Sequence, residues 1–160
     1  MSDISIQFTL NGVGRQVVVP ANMLLVDFLR DNEQLKGAKI GCSRGVCGSC
    51  TVLIDGTPVA ACSTFAFQAD GRSVFTVEGL ARGGALDPVQ QAFIDNAAFQ
   101  CGYCTSGMIL MTKALLAENK APDRATIVEW LSSNVCRCTG YAQIIAAVED
   151  AARRLREAER

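Results

Sequence analysis

Histidine is absent from this 160-residue chain. Its absence removes the commonest general base and the commonest imidazole metal ligand. Also missing is any uninterrupted apolar run approaching the ~18 residues of a membrane span, although 49% of the residues are apolar. Neither sign of charge dominates: 15 basic against 16 acidic residues leave a net charge of −1. The one basic knot, Arg153, Arg154 and Arg156, is interleaved with acids, so no nucleic-acid surface is expected. No G-x-G-x-x-G follows a strand-like run, and no nucleophile–base constellation is in view. The opening "MSDISIQFTL" lacks the charged and apolar regions of a signal peptide and has no twin arginine, which predicts a cytoplasmic protein.

What the chain does have is cysteine, eight of them. In a reducing cytosol they are poor candidates for structural disulfides, so metal or cluster ligation is the starting reading. They fall four and four. Cys42, Cys47, Cys50 and Cys62 lie in a first half that reads as β-rich; Cys101, Cys104, Cys136 and Cys138 lie in a second that reads as helical.

In the first half "ISIQFTL" alternates, "NG" turns and "RQVVV" returns, which predicts a hairpin. Asn22 is placed to cap a short helix over 23–31, with Leu25, Phe28 and Leu29 on one face. "TVLID", "PVAAC" and "SVFTV" read as further strands, giving a small α+β domain. After a Gly- and Pro-punctuated stretch the periodicity becomes helical over 87–96, 105–119, 123–133 and about 140–158. Met108, Met111 and Leu115 share one face, as do Ile144, Val148, Ala152 and Leu155; these stripes read as bundle core. Glu149–Arg153 and Asp150–Arg154 are expected as i,i+4 pairs on the exposed side. The expected division is 1–77, a linker at 78–84, and 85–160.

"GCSRGVCGSC" at 41–50 spaces its cysteines C-x4-C-x2-C, with Cys62 as a remote fourth. That is the plant-type pattern for a [2Fe–2S] cluster. A loop wrapping an anionic cluster turns backbone N–H groups toward sulfur, which asks for left-handed residues and no Cβ in the way, hence Gly41, Gly45 and Gly48. Zinc would favour paired short knuckles, and a thioredoxin-like "CGSC" would open a helix, whereas "TVLID" follows. For "CGYC" at 101–104 and "CRC" at 136–138, zinc and a cluster both remain open on the residues alone. Each pair is followed by threonine and then a helix, whose positive N-terminal ends suit an anionic cluster.

Taken in order, "GCSRGVCGSCTVLIDG", "AACST", "QCGYCTSGM" and "NVCRCTGY" resemble the small two-cluster iron–sulfur subunit of the molybdenum hydroxylases, the xanthine oxidase/aldehyde oxidoreductase family. The resemblance covers about residues 4 to 150. It implies a plant-ferredoxin-like β-grasp domain followed by a four-helix bundle domain, each holding one [2Fe–2S] cluster, with the second quartet as cluster ligands. It implies an electron-transfer subunit beside a large molybdopterin subunit (cytosine dinucleotide form) and a medium FAD subunit, assembled as a dimer of heterotrimers. Cys138 would be the ligand closest to the pterin, with Gln100 a hydrogen-bond partner of the pterin. Ser106 departs from the family's usual "CTPGM" proline. A relay run reductively, as in hydroxybenzoyl-CoA reductase, a freely diffusing ferredoxin-like carrier and a zinc scaffold are the competing readings.

Overall fold

Alternation dictates the first element. In β1 (Asp3–Leu10) Ile6, Phe8 and Leu10 are buried while Ser5, Gln7 and Thr9 are exposed. The chain reverses at Asn11 and Gly12, both with positive φ (52° and 83°), the conformation that a two-residue hairpin demands. Strand β2 (Val13–Pro20) then pairs antiparallel along all of β1. The computed structural model describes residues 2–160.

Strands β3 (Thr51–Ile54), β4 (Thr57–Ala60) and β5 (Ser73–Phe75) complete a five-stranded sheet in the order β2-β1-β5-β3-β4. Only the β1–β5 pairing is parallel. Helix α1 (Leu25–Asp27) runs into a wider π turn, Phe28–Asn32, and buries Leu25, Phe28 and Leu29 on the sheet. Phe28 meets Phe8 edge to face, ring centroids 5.8 Å apart.

The second half holds α2 (Pro88–Asp95), α3 (Thr105–Glu118), α4 (Arg124–Leu131) and α5 (Ala142–Ala158). Asp87 caps α2 through its carboxylate and the Val89 N–H, with Pro88 in the first turn; Asp123 caps α4 through Thr126 N–H. Helix α5 packs along α2, and Arg154 of α5 ties the two by reaching Asp95 of α2 at 2.7 Å while Asp150 of its own helix holds it at 2.7 Å. Strand β3 joins the halves: Val52 and Ile54 enter the sheet–α1 core, and Leu53 enters the helical core against which α3 packs. Sequence alternation thus feeds two cores from one strand.

Four expectations need correction. Asn22 caps nothing: it lies in a turn closed by Met23 N–H on Pro20 O, and Leu24 is extended and bridges to Phe65, so the helix starts later. Cys62 lies not on a strand but on a 3₁₀ turn, Ala61–Ser63, directly after β4. Glu149 pairs with Arg124 across to α4, while Arg153 sits between Asp150 and Glu157; Asp150–Arg154 forms as expected, but on a shielded rather than exposed side. Helix α3 is buried on nearly every side, not on one stripe.

Candidate metal centres

The loop at 41–50 shapes itself around thiols. Cys42 Sγ accepts the backbone N–H groups of Arg44, Val46 and Cys47, each at 3.4 Å. Gly45 N–H points to Cys62 Sγ (3.3 Å), and Cys62 N–H to Cys50 Sγ (3.4 Å). Left-handed backbone at Ser43, Gly45 and Gly48 makes this possible. Gly41 answers only one of the two expected demands: its backbone is ordinary, but a Cβ there would lie 2.9 Å from Cys47 Sγ. The amides of Cys47, Val46 and Arg44 hold the Cys42 pKa down to about 6. Burial pushes the Cys50 thiol up to about 12, a thiolate that only a bound cation would make tolerable.

The second quartet comes from two segments. "CGYC" ends at Cys104, which is itself the N-cap of α3. "CRC" is followed by Thr139 and a turn before α5 opens at Ala142, so a helix follows each pair as expected, but only α3 begins at its cysteine. Cys101 Sγ and Cys138 Sγ stand 3.6 Å apart, and Cys104 faces Cys136. Burial pushes Cys104 up to about 12. Burial also works against a Cys136 thiolate, but hydrogen bonds led by the Thr139 side chain and N–H outweigh it and hold this thiol below its ordinary value.

All eight cysteines are free. Within each quartet the thiols meet in pairs: Cys42 with Cys47, Cys50 with Cys62, Cys104 with Cys136, Cys101 with Cys138. Two pairs per site match a dinuclear cluster, in which each iron takes two thiolates. A single zinc ion instead draws four ligands to one point. A further sign of fit is the Thr105 hydroxyl beside Cys104, buried without a partner and so available to a bound acceptor.

Gln100 donates to the Cys138 carbonyl at 3.0 Å, so the structure brings those two residues together. Several residues that join the two sites were not singled out by the sequence reading. Val135 N–H donates to the Cys47 carbonyl (2.9 Å), which links a residue beside Cys136 directly to a first-quartet cysteine. Asn134 Nδ2 donates to Gly48 O (3.0 Å), and Tyr103 OH to Ile40 O (2.9 Å). Asn134 was visible inside "NVCRCTGY", but its partner lies 86 residues away.

Ser106 belongs to this seam too: its Oγ donates to Gly37 O at 2.6 Å, while Gly37 N–H is held by Glu78. Ser106→Ala is expected to cost about 1 kcal/mol in urea unfolding, the worth of one such bond. Ser106→Pro should cost no more, because a first-turn N–H needs no helical partner.

Two family models match the chain one after the other: a "2Fe-2S iron-sulfur cluster binding domain" over residues 8–74 and a "[2Fe-2S] binding domain" over 76–149. The nicotine 6-hydroxylase small subunit of Paenarthrobacter nicotinovorans is 48% identical across 92% of this chain and 89% of its own length. The nicotinate dehydrogenase small FeS subunit of Eubacterium barkeri is 47% identical across 96% and 98%. Among solved structures, a chain of quinoline 2-oxidoreductase from Pseudomonas putida 86 superposes with a TM-score of 0.93, 47% identity and 99% coverage of both chains.

Proposed function

Because this chain belongs to the iron–sulfur small subunits of the molybdenum hydroxylases, we propose that Cys42, Cys47, Cys50 and Cys62 ligate one [2Fe–2S] cluster and Cys101, Cys104, Cys136 and Cys138 a second. The chain is an electron-transfer subunit of a multi-subunit molybdenum-dependent dehydrogenase. Clusters held this way supply one-electron acceptance and release, the chemistry needed between a molybdopterin site and a flavin. The chain's own part is to fix and tune them. The amide nest on Cys42 and the Thr139 hydroxyl on Cys136 stabilise thiolate charge, and the seam holds the two sites in register.

The observation that carries this reading is the pair of two-by-two thiol sites, bridged by the Cys47 carbonyl and the Val135 amide. The sheet domain is assigned to 1–77, the linker to 78–84 and the helical domain to 85–160. Cys138 and Gln100 are assigned to the side nearest a molybdopterin, in its cytosine dinucleotide form, carried by a large partner subunit. An FAD-bearing medium subunit completes a dimer of heterotrimers in the cytoplasm. Val46, Tyr103 and Val135, each 48–66% exposed beside the quartets, support a permanently docked subunit over a freely diffusing carrier. Copurification of the native complex tests this: molybdenum, iron and flavin should travel with the chain. A stable lone chain in cell extract would contradict the assignment.

A further inference from the structure

Two polar side chains of the turn that follows Cys136 reach back to it, Thr139 to its sulfur and Tyr141 to its amide. Thr139 Oγ1 donates to Cys136 Sγ at 3.1 Å, and the same oxygen accepts Tyr141 N–H at 3.2 Å. An iron-bound Cys136 thiolate has no proton to give, so the single Thr139 proton is directed at sulfur while Tyr141 N–H holds the hydroxyl oxygen. Tyr141 OH closes the ring of contacts by accepting Cys136 N–H (2.8 Å) and donating to Asn134 O (2.9 Å).

Backbone strain maintains this arrangement. Gly140 and Tyr141 both have positive φ, 63° and 68°. Glycine takes that conformation freely, but a bulky aromatic residue does so only where its surroundings impose it, and such strain gathers at functional positions. Left-handed Tyr141 turns its amide to Thr139 while its ring returns to Cys136. Among the described residues no other thiol of the quartet accepts from a hydroxyl: Gln100 reaches the Cys138 carbonyl rather than its sulfur, and Thr105 Oγ1 has no partner.

Resting on the assignment of Cys136 as a cluster ligand, we propose that Thr139 is a positioning residue that sets the potential of the second cluster, its hydroxyl being aimed at Cys136 sulfur by Tyr141. Reduction adds one electron, supplied by dithionite through mediators. No bond is made or broken, and the proton stays on Thr139 Oγ1. The added negative charge is shared by the thiolate sulfurs, so a hydrogen bond to one of them is stronger in the reduced state. The hydroxyl therefore favours reduction.

The test is an EPR-monitored redox titration of the assembled complex carrying Thr139→Val, with iron and sulfide counted for each protein. Valine keeps the shape and removes the donor. The equilibrium constant for reducing one cluster should fall about tenfold, ~59 mV for a one-electron couple. The other cluster should not move, and Thr139→Ser, which keeps the hydroxyl, should restore the original potential. An unmoved potential with both clusters intact overturns the proposal. If valine costs the site its iron, Thr139→Ala is measured in its place. Loss of iron in both variants also overturns the proposal, because the hydroxyl is then needed for assembly rather than for potential. Wild-type protein with iron for only one cluster would instead defeat the ligand assignment itself.

Discussion

Gly107→Ala is expected to force apart the two halves of the molecule where their metal sites adjoin. A Cβ on Gly107 would fall 2.1 Å from the Gly48 carbonyl oxygen and 3.0 Å from Asn134 Nδ2. The nearer contact is backbone of the first cysteine loop, which cannot rotate away as a side chain can. Gly48 has no room to yield either. Its φ is +68°, and its own Cβ position lies 2.5 Å from Asn134 and 2.8 Å from Ser133 O. Three backbone segments therefore meet at van der Waals limits: the start of α3, the first cysteine loop and the approach to "CRC". Relief requires moving α3, which carries Cys104 at its N-cap.

Overpacking of this kind costs about 3 kcal/mol, toward the upper end of its usual range. For a chain of this size that is a fall of roughly 6–12 °C in thermal midpoint. Gly14→Ala is the matched control, since a Cβ there meets nothing within 4 Å and the backbone is not left-handed. Its midpoint should stay near wild type. Equal midpoints for the two variants would mean that the seam does not bear on Gly107.

Cys138→Ser carries the second large effect. It removes one thiol of the second quartet, the partner of Cys101 at 3.6 Å. Serine oxygen is a poor replacement for thiolate on iron, so the variant should lose about half its iron and sulfide while the first site keeps its own. In the assembled complex, substrate should then no longer reduce the first cluster, whereas dithionite still should. Both results follow from the order pterin, second cluster, first cluster. Substrate-driven reduction at the wild-type rate in this variant would contradict that order.

Much of this was legible in the residues because it depends on local rules. Alternation and an Asn-Gly turn gave the hairpin. The change to a helical period placed α2 within 87–96 and α4 within 123–133, and the C-x4-C-x2-C spacing with its glycines marked the first site. The errors arose where a distant partner overrides a local preference. Leu24 is held extended by Phe65, so the helix expected from Asn22 starts later. "PVAAC" alternates well enough for a strand, yet Cys62 must turn so that its amide meets Cys50 Sγ. Glu149 takes Arg124 from another helix in preference to Arg153 in its own. The seam was not readable for the same reason. Ser106, Tyr103 and Val135 act on backbone carbonyls of the other half, and carbonyls leave no trace in the letters. Thr139 stood in the quoted motif, but only the left-handed turn at Gly140 and Tyr141 directs its hydroxyl to sulfur.

The central claim is that this chain holds two separate [2Fe–2S] clusters close enough to pass electrons between them. EPR of the dithionite-reduced protein tests it most directly, with iron and acid-labile sulfide counted on the same sample. Two distinct reduced-cluster signals that broaden each other, with iron and sulfide in equal amounts, are predicted. A colourless, EPR-silent protein that contains zinc and no sulfide would contradict the account.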